Sequence, residues 1–227
     1  MMSDLNSLTV LVAGATSTSG EVMARALAGA GARVVAVGRS DDKLAALREA
    51  VPGTVTFTAD LASEDDVASL TERVHAEVGP IDGLVHLVGG WRGGGGLAGQ
   101  SEADYRFLEN SFTALRFVSR AFDADLQASS RGRVAVVSSA ALKRPLAGGA
   151  NYAAVKAATE AWTRALAHGF TKAARDEGRD LSGAAVIYRV KGLDGLEESL
   201  ADAVVTDFAG DAADVNDQII DLTGSQA

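Results

Sequence analysis

Short apolar runs alternate with longer helix-like segments along the whole chain, and this alternation restricts the fold more than any other feature. The apolar runs are Leu8–Ala13, Arg33–Val37, Val55–Thr58, Leu84–Val88, Arg133–Ser138, Ala184–Val190 and Gln218–Leu222. Between them lie Gly20–Ala30, Asp41–Ala50, Ser63–Val78, Glu102–Gln127, Tyr152–Arg175 and Leu196–Phe208, which carry apolar residues at helical spacing. Strands separated by helices imply a parallel sheet covered on both faces. Val134-Ala135-Val136-Val137 fits such a strand, since it is apolar at every position rather than every second one. Right-handed crossovers then give a doubly wound α/β sheet of about seven strands.

The length, 227 residues, suits one such domain spanning residues 1–227, and a hydrophobic content of 47% supplies a large core. Acidic residues outnumber basic ones 30 to 21, which argues against a nucleic-acid surface. The chain has no cysteine, so disulfides, thiolate metal sites and a cysteine nucleophile are excluded. A cytoplasmic location fits that composition. Met1–Ser7 lacks a basic region, so the apolar run after it reads as a first strand and not a signal peptide. No stretch is long and apolar enough to span a bilayer. No partner cluster for a metal accompanies any histidine, and His86, flanked by apolar residues, reads as a packed core histidine.

Three residues point to chemistry. Tyr152 and Lys156 lie four positions apart, on one face of a helix. Ser139 closes the strand before them and reaches the same region, while Ser138 points to the opposite side because side chains alternate along a strand. Such a trio delivers a proton to a carbonyl oxygen while a hydride reaches the carbon. A free tyrosine titrates near ~10, and a neighbouring ammonium favours its ionised form. A hydride carrier is then required. Gly14-Ala15-Thr16-Ser17-Thr18-Ser19-Gly20, between the first strand and first helix, offers small residues and a helix N-terminus for a diphosphate. Taken alone, that loop is a weak signal, since an ordinary βα turn can carry the same residues.

These residues together resemble the short-chain dehydrogenase/reductase family. Its Thr-Gly-x-x-x-Gly-x-Gly fingerprint matches Ala13–Gly20 at the first and last glycines, with Thr18 at the middle one. The resemblance implies a Rossmann-like doubly wound fold, with Gly14, Thr16, Ser17, Thr18, Ser19 and Gly20 around the cofactor diphosphate. It implies adenine contacts from Asp60 and Leu61, a backbone contact at Gly89, and ribose contacts from Tyr152 and Lys156. Gly38 stands where an NAD enzyme of the family carries an acid, and Arg39 is suited to a 2′-phosphate, so NADP(H) is expected over NAD(H). The catalytic set is Asn110, Ser139, Tyr152 and Lys156, with Asn110 anchoring a water that relays protons. The partners implied are a small carbonyl or alcohol substrate and further copies of the chain, as a homodimer or homotetramer built on the two long helices.

The likeness is weaker elsewhere. His86-Leu87-Val88-Gly89 replaces Asn-Asn-Ala-Gly, and Val190-Lys191-Gly192-Leu193 lacks the Pro-Gly and following Thr that hold the carboxamide. The segment that usually covers the substrate is short. Trp91, Arg92 and Tyr188 are assigned to the substrate, with Arg92 attracting an anionic or polar group. The departures leave two other classes open: a cofactor-binding sensor without turnover, and a dehydratase or cyclase that uses Tyr152 without net hydride transfer.

Overall fold

The structure is a computed structural model that describes residues 4–224. Seven parallel strands form one sheet in the order β3-β2-β1-β4-β5-β6-β7. They are β1 (Thr9–Ala13), β2 (Arg33–Gly38), β3 (Val55–Thr58), β4 (Gly83–His86), β5 (Arg133–Ser139), β6 (Ala184–Val190) and β7 (Ile219–Asp221). The helices are α1 (Thr18–Gly29), α2 (Asp41–Ala50), α3 (Glu64–Glu77), α4 (Glu102–Ala121), α5 (Asp123–Ala128), α6 (Ala150–Glu177), α7 (Glu197–Ala209) and α8 (Ala212–Val215). The expected doubly wound α/β sheet is what forms, with the strand order turning back between β1 and β4.

Alternation along each strand builds two cores. Val10, Val12, Val34, Ala36 and Val186 meet α1, α2 and α7 on one face. Leu11, Ala13, Val35, Val37, Val134 and Val136 meet α3 to α6 on the other. Burial on both faces explains why these strands are apolar at consecutive positions.

Several boundaries shift by a few residues, and three larger differences from the sequence reading matter for the site and the packing around it. The predicted helix Glu102–Gln127 is two helices, α4 and α5, because the backbone leaves the helical region at Phe122. That bend buries Phe122 and Leu126 and brings the Asp125 carboxylate to the Ile81 amide and to His75. β4 stops at His86 rather than Val88, so Leu87 to Gly89 form the floor of a cleft instead of strand. The short helix α8 is an addition, started by the Asp211 side chain capping the Ala213 amide. At α3, the Ser63 hydroxyl accepts from the Asp66 amide and donates to the Asp66 carboxylate, which is the start signal expected there.

Candidate active site

The carboxyl ends of the central strands open into two adjoining hollows. Leu87, Val88 and Gly89 line both, as does Ser17. The first hollow, about 370 Å³, lies over β1, β2 and β3. The second, about 700 Å³, lies beside β5 and α6.

The first hollow begins at the loop after β1. Ser17 caps α1: its hydroxyl accepts from the Gly20 amide at 3.0 Å and donates to the Gly14 carbonyl. Helix geometry leaves the first-turn amides of Thr18 and Ser19 without intrahelical acceptors, next to the positive end of the helix dipole. Gly20 is a glycine of close approach, since a Cβ there would lie 2.5 Å from the Ala15 carbonyl oxygen. This loop therefore fits a dinucleotide diphosphate, as its residue types suggested. Thr16, Ser17 and Gly14 line the hollow together with Arg39, Asp60 and Leu61. Thr18 and Ser19 lie beside it, Thr18 in a neighbouring shallow hollow and Ser19 in the second one.

Two details here escape a reading of the sequence. The space above Gly38 is not empty, because a Cβ at that position would meet the Thr16 methyl at 2.5 Å. Lys43, in the first turn of α2, joins Arg39 in the lining. The four-residue spacing of Arg39 and Lys43 was its only signal. Neither cation is in an ion pair among the described residues, so both are available to an anionic group.

The second hollow gathers Ser139, Tyr152 and Lys156. Ser139 is buried, and its hydroxyl oxygen also accepts from the Ala141 amide at 3.1 Å, which fixes the turn after β5. Tyr152 and Lys156 project from one face of α6, with the Lys156 Nζ 5.9 Å from the Tyr152 ring centroid. Lys156 donates to the Val137 carbonyl at 2.8 Å. Burial lowers its pKa to about 8, against an opposing effect from the Glu160 charge. Glu160 sits one turn further along α6. It accepts from Ser138 at 2.7 Å and from the Nε and Nη2 groups of Arg189 at 2.8 and 2.6 Å. Burial alone pushes this carboxyl up, but the bonds from Arg189 and Ser138 and the Arg189 charge hold it below its ordinary value.

Not every predicted residue joins this group. Asn110 lines the first hollow, with Phe107 and Ser111, and not the second. Tyr188 does not reach either hollow. It is fully buried on the α7 face of β6, and its hydroxyl donates to Asp207 at 2.6 Å. Its assignment to the substrate is corrected by strand alternation, which turns Tyr188 to one side of the sheet and Arg189 to the other. Arg189 is occupied by Glu160. Arg92 is also placed elsewhere: its guanidinium lies 3.9 Å from the Phe107 ring centroid and donates to the Trp91 carbonyl. It lines neither hollow, and the cation–π contact holds it on α4 instead. Trp91 does line the second hollow, and 61% of it is exposed.

His86 is buried, as expected of a core histidine, yet it also lines the second hollow. Its Nε2 donates to the Ser111 carbonyl at 3.0 Å, which leaves Nδ1 as a buried acceptor with no partner among the described residues. Burial, and then the Lys156 charge, lower the ring pKa to about 3.

The glycine-rich loop is tied down by one side chain. The Gln100 amide group donates to the carbonyls of Gly94, Gly96 and Gly148, and its oxygen accepts from the Asn151 amide. The Gly94 amide also donates to Gly148 at 2.7 Å. Gln100 thus fastens the loop after β4 to the turn that presents Tyr152. Leu146 in that turn and Trp91 both line this hollow, and Lys191, Gly192 and Leu193 line its β6 side. Gln100, Leu146 and Lys191 were not singled out from the sequence, because their roles depend on which loops meet.

Among the described residues no helix is long and apolar enough to cross a membrane, and no group of three or more acidic or histidine side chains is placed to hold a metal ion.

Comparison with known proteins agrees with this arrangement. The sequence model of the short chain dehydrogenases matches residues 8–174. A ketoacyl reductase, HetN, from Nostoc sp. is 31% identical over 170 residues, covering 73% of this chain and 59% of that protein. A 2,3-dihydro-2,3-dihydroxybenzoate dehydrogenase from Bacillus subtilis is 32% identical over 161 residues, covering 68% of this chain and 61% of that protein. The match thus spans about three fifths of the length of these relatives. Among solved structures, a metagenomic short-chain oxidoreductase in complex with NADP superposes with a TM-score of 0.83 at 27% identity, covering 96% of this chain and 98% of that one. A 3-ketoacyl-(acyl-carrier-protein) reductase from Brucella melitensis complexed with NADH shares the fold, with a TM-score of 0.85 at 20% identity and coverage of 98% and 99%.

Proposed function

The chain belongs to the short-chain dehydrogenase family, and we propose that it is an NADP(H)-dependent oxidoreductase interconverting a carbonyl and an alcohol on a small organic substrate. One observation carries this reading: Ser139, Tyr152 and Lys156 share a cleft that adjoins the glycine loop and the first turn of α1.

The dinucleotide, when bound, supplies or accepts the hydride. The residues of this chain handle the proton. In reduction the Tyr152 hydroxyl protonates the substrate oxygen, and the Ser139 hydroxyl donates a hydrogen bond to the same atom. In oxidation the Tyr152 oxygen takes the alcohol proton. Lys156 is held through one N–H by the Val137 carbonyl, which leaves its other donors for ribose hydroxyls and for stabilising an ionised Tyr152. Asn110 anchors a water in the proton path from the neighbouring hollow. Gly14, Gly20 and the first-turn amides of α1 receive the diphosphate, Asp60 and Leu61 the adenine, and Gly89 the passage between the two halves.

The preference for NADP(H) is supported by Arg39 and Lys43, two unpaired cations in the hollow that would hold the adenosine half. A 2′-phosphate is the dinucleotide group that rewards both. The substrate rim is apolar, with Trp91 and Leu146 exposed there, so a carbonyl compound with a hydrophobic body suits it. We further propose a homodimer or homotetramer in the cytoplasm, built on α4 and α6, where Arg116 stacks near Phe112, Phe117 and Trp162.

The test is NADPH titration by fluorescence, followed by its oxidation in the presence of a ketone and aldehyde panel. Turnover that falls about 10²- to 10⁴-fold in Tyr152→Phe is the expected result. Tight NADPH binding with no turnover on any carbonyl would favour the sensor or non-redox classes instead.

A further inference from the structure

Among the described residues, the charged side chains lining the catalytic cleft are Lys156 and Lys191, and no carboxylate lines it. This is unusual for a chain with 30 acidic and 21 basic residues. Lys156 is committed to the catalytic group. Lys191 serves no structural contact of that kind, being exposed and in no ion pair among the described residues. The nearest acid along the chain, Asp194, does not line the cleft.

The sheet register places Lys191 closely. Ser139 and Val190 are paired across β5 and β6, so Lys191 is the residue directly after the partner of the catalytic serine. Lys191 lines the same cleft as Ser139, Tyr152 and Lys156. Trp91, Leu146 and Leu193, two residues after Lys191, line the same cleft, and all are apolar.

We propose that Lys191 is a specificity-determining residue, and that the substrate is an anionic carbonyl compound, an apolar body carrying a carboxylate or phosphate that pairs with this ammonium. This rests on the reading of the cleft as a carbonyl reductase site. It also reassigns the anion-attracting role from Arg92, which is stacked on Phe107, to the other side of the cleft.

The cofactor diphosphate is the other anion that competes for such a lysine. The strand order opposes it. The diphosphate loop follows β1, and β6 is three strands away, through β4 and β5. At the usual strand spacing that is about 14 Å. A lysine side chain covers less than half of this distance, whereas Ser139 is on the adjacent strand; Ser17 and Ser19 of the diphosphate loop also line the cleft, so NADPH affinity is the readout that separates the two anions.

The experiment compares the wild type with Lys191→Met and Lys191→Glu, substitutions at an exposed position that leave the fold intact. Calorimetry on the NADP⁺-saturated protein measures binding of aryl and alkyl oxo acids, 4-acetylbenzoate among them, alongside their neutral methyl esters. NADPH affinity is measured on the same proteins. The wild type should bind at least one oxo acid more tightly than its ester. Lys191→Met should weaken that acid about tenfold to a hundredfold, and Lys191→Glu further, with ester and NADPH affinities unchanged. No preference for any acid, or equal loss of acid and ester, overturns the proposal. Loss of NADPH affinity in step with the acid assigns Lys191 to the diphosphate and overturns it too. Because these are binding measurements, acid recognition through Lys191 without any NADPH oxidation would sink the reductase reading alone. Turnover of neutral ketones, with acid and ester bound equally by all three proteins, would sink the Lys191 proposal alone.

Discussion

Ser138 and Ser139 are neighbours in sequence and serve opposite sides of the sheet: Ser138 donates to the buried Glu160, while Ser139 lines the hollow that holds Tyr152 and Lys156. Their substitutions should therefore separate. Ser139→Ala removes a hydrogen bond to the reacting oxygen, and kcat should drop about 10²- to 10³-fold. Ser138→Ala leaves kcat near the wild-type value but strips one donor from Glu160, costing about 1–3 kcal/mol of stability. Steady-state kinetics and urea denaturation on both variants check this. A kcat that falls as far in Ser138→Ala would mean that the two hydroxyls are exchanged.

Arg39 and Lys43 are expected to act as a pair on the adenosine end. Each charge-assisted bond to a 2′-phosphate contributes about 1.5–3 kcal/mol. Arg39→Ala and Lys43→Ala should each weaken NADPH about tenfold to a hundredfold, and neither should alter NADH. Fluorescence titrations with both dinucleotides test the claim. Equal losses for NADPH and NADH would place the two cations on some other part of the cofactor.

Much of this was legible in the sequence, for a physical reason. Strand β5 must bury both faces, so Val134 to Val137 are all apolar, and such runs separated by helices have few alternative folds. Tyr152 and Lys156 are tied together by helix geometry alone, and Ser139 by strand alternation. What was not legible depends on which loops meet. Gln100 gains its role only because the glycine-rich loop lies against Gly148. Arg92 was expected to face the substrate, but Phe107, distant in sequence, captures it. The sequence around Tyr188 shows a tyrosine near a strand end, and only the fold reveals Asp207 on α7 as its partner.

Tyr188 gives the third test. Its hydroxyl is buried against Asp207, and burial raises the pKa of both groups, Tyr188 the further by the Asp207 charge. Tyr188→Phe should leave KM and kcat unaltered, since the ring lies outside the cleft. It should cost about 1–3 kcal/mol, because a partly buried carboxyl loses its donor. A raised KM with unchanged stability would restore Tyr188 to the substrate site.

His86 supplies a pH test. Burial, with the Lys156 charge second, lowers its pKa from 6.5 to about 3 in the folded chain. The unfolded chain therefore takes up a proton near pH 6.5 that the native ring refuses until about pH 3. The sign follows: this contribution to stability is intact above the unfolded value and is lost as pH falls between the two. Each unit is equivalent to about 1.4 kcal/mol, so acidification from neutrality to about pH 4.5 should remove about 2–3 kcal/mol through this ring. Carboxylates such as Glu160 and Asp207 also titrate toward the lower end, so the informative quantity is a difference between two proteins. His86→Gln keeps a donor for the Ser111 carbonyl and has no titrating ring. Its unfolding free energy should decline less with acid than that of the wild type, by the amount above. Denaturation curves that run parallel from pH 7 to 4.5 would mean that the folded ring accepts the proton.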